Sequence, residues 1–404
     1  MRELLFLCHR IPYPPNKGDK IRCWNIFHAL SERFRVHFAC FVDDPDDHRH
    51  EATIRDRCGE SLFIPLNPAL ATIGSARKLL TGEALTLGYY SNARLAAWVD
   101  DIVARRRLDR AFVFSSSMAP YLAGDRFRGL FRVADLVDVD SEKWRQYAAR
   151  RAWPASAIYA REGRRLLEFE RRIAGEFAAV ILVSQQETAL FERLAPEASG
   201  HVHAIPNGVD ADYFSPSRAY DDPYPPGAAP VVFVGAMDYW PNIDAAIWFA
   251  TEILPGLAAG GPPVRFYIVG ANPSPAVQRL GRLPGVTVTG RVADVRPYVA
   301  HAAVAVAPMR IARGIQNKVL EAMAMAKVVV TTSPGLEGVD AEPGIQVRVA
   351  DEPRAFAAAV RQAIAGAENA TIGARARELV LSRHGWAGSL RRIEEVLDGC
   401  PVQA

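Results

Sequence analysis

Short apolar runs of roughly four to eight residues, bounded by polar or turn-forming positions, alternate along the chain with longer stretches whose apolar residues recur every three or four positions. The short runs have the character of strands buried on both faces, and the longer stretches that of amphipathic helices. Strands are predicted near residues 4–8, 36–42, 61–64, 110–114, 132–137 and 180–183, and again near 231–234, 266–269, 286–289, 304–307 and 328–332. A strand that is repeatedly followed by a helix builds βαβ units. Each half therefore predicts its own α/β domain with a doubly wound, Rossmann-like parallel sheet.

Between the halves runs HAIPNGVDADYFSPSRAYDDPYPPGAAP, too rich in Pro, Gly, Asp and Ser to continue a helix or a central strand. The boundary is placed there: residues 1–205 form a first domain and 206–380 a second. Residues 381–404 hold a last helix that either finishes the second domain or crosses back to the first. A chain of 404 residues suits two domains of this size, and no short-period repeat points to a solenoid.

Composition narrows the classes. A hydrophobic share of 50% with 23% charged residues is that of a soluble globular protein. No apolar run approaches the ~18 residues needed to cross a bilayer, so any membrane contact is expected to be peripheral. The opening MRELLFLCHRIPYPP has Glu3 in its basic part and no small-residue cleavage site, which favours a buried first strand over an export signal. The five cysteines, Cys8, Cys23, Cys40, Cys58 and Cys400, show no paired spacing and fit a reducing cytoplasm rather than a disulfide or zinc framework. The net charge of +3 conceals one concentrated stretch. From Arg145 to Arg172 eight arginines face three glutamates among several aromatics, which describes either an anionic membrane surface contact or a solvated helix whose arginines pair with neighbouring glutamates. No nucleic-acid partner is expected.

Candidate chemistry is sought where strands of an open parallel sheet run into helices, because bare N–H groups there favour anions. After the first strand, Asn16, Lys17, Gly18 and Asp19 stand at the mouth of a helix and read as an acceptor or phosphate loop, with Lys20 and Arg22 adding positive charge. In the second half Gly235 and Gly270 each end a strand, and Asn242 or Asp244 can cap the helix after the first of them. Neither place matches G-x-G-x-x-G or the Walker loop, so nicotinamide and ATP sites have no positive signal. After residues 304–307 come Arg310, Arg313 and Gly314, and then a helix carrying Lys318 and Glu321 three residues apart. A cationic loop at a helix start attracts a diphosphate, and a carboxylate one turn further in can accept hydrogen bonds from ribose hydroxyls. The alternative is a plain surface ion pair between Lys318 and Glu321. Asp138 and Asp140 have the D-x-D spacing of a divalent-metal site, or can hold an acceptor hydroxyl. His9, ending the first strand, is either a cleft residue or a packed structural histidine.

The segments IPNGVDADYFSP, VVFVGAMDYWPN, YIVGAN, VTVTGRVADVRPYVAHAAVAVAPMR and NKVLEAMAMAKVVV, in that order, resemble the retaining glycosyltransferases of family 4, which have the GT-B fold. PYPPNKGDK and VSQQE agree less specifically. The pairing of HRIPYPPNKGDKIR with DLVDVDSEKWRQYA resembles the subgroup found with bacterial exopolysaccharide and exosortase (PEP-CTERM) systems. The resemblance implies two Rossmann-like domains facing across a cleft. The first would hold a lipid-linked or saccharide acceptor and the second a nucleotide diphosphate sugar, with no metal or other cofactor. It assigns Glu321 to the ribose as the second acid of an E-x7-E motif, whose first acid is replaced here by Arg313. The basic pair usual after the Gly235 position is missing from AMDYWPN, and Arg310, Arg313 and Lys318 are expected to supply its charge. Ala326 and Val328 stand where Gly and Pro are usual, and no family histidine accompanies Asp138 and Asp140, which leaves these acids and His9 as the catalytic candidates. The expected activity is transfer of a hexose-type sugar to a hydroxyl with retention. The expected location is the cytoplasm, including the inner face of the plasma membrane. A sugar-nucleotide epimerase or a non-catalytic nucleotide-sugar-binding subunit are the alternatives.

Overall fold

The computed structural model describes residues 1–15, 17–149, 151–257, 261–312 and 315–399, leaving aside the side chain of Leu80. The chain forms two compact units, Met1–Pro206 together with the segment from Ser389 onward, and Asn207–Gly388.

The first unit is built on seven strands: β1 (Arg2–Cys8), β2 (Phe34–Val42), β3 (Ser61–Pro65), β4 (Arg110–Phe114), β5 (Phe131–Val137), β6 (Ala179–Leu182) and β7 (Val202–Ala204). They lie in the order β3-β2-β1-β4-β5-β6-β7, every pair parallel. Two-residue alternation divides even the unbroken apolar run of β1 between the two faces of the sheet. Leu5 and Leu7 join a core with Ala111, Val113 and Leu166, whereas Leu4, Phe6 and Cys8 join another with Ile26, Phe27 and Phe38. The second core also takes in Ile393, Val396 and Leu397, so the last helix, Trp386–Leu397, packs its C-terminal part against the first sheet.

The second unit has six strands: β8 (Ala229–Val234), β9 (Val264–Val269), β10 (Val286–Gly290), β11 (Val304–Ala307), β12 (Val329–Thr331) and β13 (Arg348–Val349). Their order, β10-β9-β8-β11-β12-β13, is again wholly parallel, with one continuous core spanning strands and covering helices. Eleven of the thirteen strands match predicted apolar runs, with ends moved by a few residues. The other two, β7 and β13, are sheet edges of three and two residues, too short to make a run. Two all-parallel α/β sheets of this kind are the GT-B architecture.

Candidate functional site

In each sheet the strand order reverses between the first and fourth strands, and the crevice beyond the carboxyl ends at that point is where such folds bind ligands. In the second unit these strands are β8 and β11. Gly235 follows β8 and Gly270 follows β9, and close packing requires both. A Cβ on Gly270 would lie 1.7 Å from the Gly235 carbonyl oxygen, and one on Gly235 would lie 2.8 Å from Asn242 Nδ2. The glycines thereby let Asn242 fold back under the loop, where its Nδ2 donates to the Ala236 carbonyl at 2.9 Å. Neither Asn242 nor Asp244 caps the helix. Tyr239 occupies the cap of Trp240–Trp248, and both polar residues lie inside the helix, free to reach sideways.

Asn242 Oδ1 accepts from Lys318 Nζ at 2.9 Å, and Gln316 Oε1 accepts from the same ammonium at 3.3 Å. Lys318 heads the helix Asn317–Ala324, whose Val319, Leu320, Ala322 and Met323 pack inward and hold it against β11 and β12. The ammonium thus sits among neutral acceptors, 5.5 Å from the centre of the Phe233 ring. Burial lowers its pKa to about 8, and burial likewise raises that of Glu321 to about 7. The expected alternative of an ion pair does not form between these two residues, and among the described residues the Glu321 carboxyl has no hydrogen-bond partner. Among the described residues, one helix therefore presents a carboxyl without a hydrogen-bond partner and a lysine whose hydrogen bonds go to neutral groups.

Arg310 departs from its expected role of free cation. Its Nη2 and Nε donate to Asp244 Oδ1 and Oδ2 at 2.6 and 3.0 Å, so the loop's charge is largely balanced within the unit. Arg313 and Gly314, also expected here, lie outside the described residues. Ala326, one of the two departures near the helix end, adopts φ +53°, a left-handed backbone for which Gly is better suited; the substitution is therefore not neutral. The residue is locked there by Gly373, where a Cβ would come within 2.0 Å of the Ala326 carbonyl oxygen.

The first unit's corresponding ends, β1 and β4, behave differently. Lys17 occupies the cap of the helix Gly18–Arg33, but Asp19 does not face an open loop. Its carboxylate meets Arg10 at 3.2 Å and His9 Nε2 at 3.5 Å, while Arg10 also meets Asp43 at 3.4 Å. Hydrogen bonding from His9 and the charge of Arg10 outweigh burial and hold Asp19 well below the usual carboxylate range. The ring of His9 lies parallel to Phe114, 6.0 Å centre to centre. Lys20 and Arg22 do not supply charge to a ligand. Lys20 is buried with Asp47 at 2.5 Å, and Arg22 is completely buried with Asp135 at 2.8 Å. Their helix positions face the core rather than the loop, because Gly18–Arg33 lays that side on the sheet. Asn16 lies outside the described residues.

Asp138 and Asp140 follow β5 on a turn gripped from below. Val137 has φ +69°, a strained conformation for a β-branched residue, and its N–H donates to Asp135 Oδ1 at 3.1 Å. The Val139 N–H donates to Glu187 at 2.8 Å, and both the N–H and the hydroxyl of Ser141 donate to Glu170, at 3.2 and 2.5 Å. Asp140 opens the helix Asp140–Ala149 and accepts from the Ser116 hydroxyl at 3.2 Å. Burial, reinforced by the neighbouring Asp140 charge, raises the Glu170 pKa to about 8. Among the described residues no group of three or more His, Cys, Asp or Glu side chains is arranged to hold a metal. Glu170, Glu187 and the Arg22–Asp135 pair were not singled out as supports of this turn. Glu187 lies in the VSQQE segment, whereas the others are ordinary helix and strand residues whose pairing across the fold leaves no local signal.

Four of the eight arginines of the arginine-rich stretch pair with glutamates: Arg145 with Glu142, Arg165 with Glu168, Arg171 with Glu197 and Arg172 with Glu176. Arg161 donates to the backbone carbonyls of Lys78 and Glu83.

Residues 229–366 match the sequence model of the family described as glycosyl transferases group 1. The matched span contains all the described residues of the β8 and β11 site. No curated protein sequence matches the chain significantly. Solved structures with the same fold include sucrose-phosphate synthase from Thermosynechococcus elongatus, at 18% identity and a TM-score of 0.72, with 99% of each chain covered. They also include a glycosyltransferase from Rickettsia africae ESF-5, at 12% identity and a TM-score of 0.68, with 98% of each chain covered. Anabaena HepE, determined with UDP and glucose, aligns at 16% identity and a TM-score of 0.67 over 99% of this chain and 100% of its own.

Proposed function

We propose that the protein is a retaining glycosyltransferase whose second unit binds a nucleoside diphosphate sugar. The observation that carries this reading is the β8 and β11 crevice, where the glycine-packed loops, the Asn242–Lys318 bond and Glu321, without a hydrogen-bond partner among the described residues, lie within residues matched by the glycosyl transferases group 1 model. Lys318 Nζ exchanges a neutral acceptor for a diphosphate oxygen, and Glu321, once ionised, accepts from the ribose hydroxyls. The binding of UDP and glucose by Anabaena HepE, which has the same fold, supports this class of donor. Chemistry at such a site requires chiefly that charge on the departing diphosphate be stabilised, for which a preorganised cation and helix N-terminus suffice. The leaving phosphate then takes the acceptor proton on the same face, so that no metal and no strong protein base is required. Asp138, Asp140 and His9, at the carboxyl end of the first sheet, are the candidates for positioning the acceptor hydroxyl. We place the reaction in exopolysaccharide or related glycoconjugate assembly, with a saccharide or lipid-linked acceptor at the cytoplasmic face of the membrane.

Calorimetry with UDP tests the donor site. Lys318→Ala is expected to weaken binding by about 1.5 to 3 kcal/mol, the range for hydrogen bonds to a charged group. Unchanged affinity in that variant removes this assignment. Incubation with nucleotide sugars and a candidate acceptor then separates transfer, which yields a glycosylated acceptor, from epimerisation, which yields altered nucleotide or free sugar without one.

A further inference from the structure

The first unit carries a surface that water does not favour. The helix Pro68–Ser75, sequence PALATIGS, has no charged residue and is exposed over most of its circumference, with Leu70 at 68% and Ile73 at 70% of full exposure. It is fixed to the molecule at its C-terminal end, where Ser75 approaches Gly88 so closely that a Cβ on the glycine would lie 3.1 Å from the Ser75 Cα. The neighbouring segment is pinned to the long helix Ala155–Glu176. Glu162 accepts from the N–H groups of Leu85 and Thr86 at 2.7 and 2.8 Å, and Arg161 donates to the Lys78 and Glu83 carbonyls. Ile158, one turn before Glu162 on the same side of that helix, and Leu79 are both about half exposed, and Trp153, just ahead of the helix, is 82% exposed. Five large apolar side chains thus stand out from two segments that the structure ties together.

The charges around them are weighted to one sign. Residues 66–82 and 143–161 contain seven Lys and Arg and no acid, although Lys78 pairs with Glu83, Lys143 with Asp140 and Arg145 with Glu142 from just outside these stretches. Arg77, Arg151 and Arg164 are exposed and have no acidic partner among the described residues. Among the described residues no helix is long and apolar enough to cross a membrane, but a short apolar helix flanked by cations suits the boundary between headgroups and acyl chains. An isologous contact with a second copy would set these cations against themselves.

We propose that this face docks on an anionic lipid bilayer, with Leu70, Ile73 and Trp153 entering the acyl boundary and Arg77, Arg151 and Arg164 meeting the headgroups. This differs from attraction by the arginine row alone, half of which is paired with glutamates. It rests on the transferase reading only in so far as a lipid-borne acceptor gives the bilayer a purpose.

The test is co-sedimentation of the full chain with vesicles of phosphatidylcholine alone or with a quarter phosphatidylglycerol, at low and high salt. Binding is expected on the anionic vesicles and is expected to persist in part at high salt. Leu70→Ser with Ile73→Ser is expected to lower partitioning at least tenfold at both salts, and Arg164→Glu only at low salt. Both replacements are on exposed side chains, and the thermal unfolding transition of the same samples reports whether the first unit remains folded in the variants. Equal binding by the double variant, equal binding to both vesicle types, or a dimer that the double variant dissolves without any vesicle binding would overturn the proposal. Loss of UDP binding in the unaltered protein would instead remove the donor reading and leave the vesicle result standing.

Discussion

The carboxyl end of the first sheet and that of the second share a topology but differ in how their charges are used. In the first unit Arg22 meets Asp135, Lys20 meets Asp47, Arg10 meets Asp19 and Asp43, and Glu170 is satisfied by Ser141. Among the described residues of the second unit, the hydrogen bonds of Lys318 go to neutral acceptors and Glu321 has no hydrogen-bond partner. A buried ionic group with an ionic partner keeps its shape but has little left to offer a ligand. One held by neutral groups remains electrostatically underused and binds a ligand at smaller loss of internal contacts. The first end is therefore a rigid platform that carries a strained turn, and the second is the receptive one.

Removal of half of the fully buried pair should produce the largest effect. Arg22→Ala leaves Asp135 as an uncompensated buried charge and is expected to destabilise the first unit by about 3–5 kcal/mol. Calorimetry should show it in the first unit's transition, with UDP affinity of the folded protein unchanged. A small shift would mean that this end is less saturated than the geometry indicates.

Glu170 provides the next effect through pH. Its pKa is raised from 4.5 to about 8 by burial, so between those values the folded protein holds a proton that the unfolded chain has released. Stability from this group is complete below pH 4.5 and is lost as pH rises towards 8. Glu170→Gln cannot ionise. The fall in unfolding temperature of the unaltered protein between pH 5 and 9 is therefore expected to exceed that of the variant, by an amount equivalent to a few kcal/mol. Parallel pH profiles would show that Glu170 is ionised in the fold.

The smallest effect sharpens the receptive end. With Glu321 titrating near 7 and Lys318 near 8, the form in which both are charged is best populated between those values. UDP affinity is expected to rise as Glu321 ionises and to fall as Lys318 loses its proton. Glu321→Gln should flatten the lower limb while costing on the order of 1 kcal/mol at pH 7.5, the scale of one net hydrogen bond. Titration calorimetry across pH 6–9 checks it, and an unchanged lower limb in the variant would separate Glu321 from the ribose.

The sequence by itself determined the two parallel sheets, because strands buried on both faces must be apolar runs and helices must show their period. It also marked Gly235, Gly270, Lys318 and Glu321, since loop glycines and charges at helix starts are local features of the chain. Only the tertiary structure decided which charges are available. Lys17, Lys20 and Arg22 look alike in sequence, yet the helix turns Lys20 onto Asp47 and Arg22 onto Asp135, partners 27 and 113 residues away. Arg310 reads as a free cation until Asp244, 66 residues before it, arrives from a neighbouring helix. Ion pairing at a few ångströms depends on through-space distance, and residues far apart in the chain acquire that distance only when the strands between them have taken their order in the sheet.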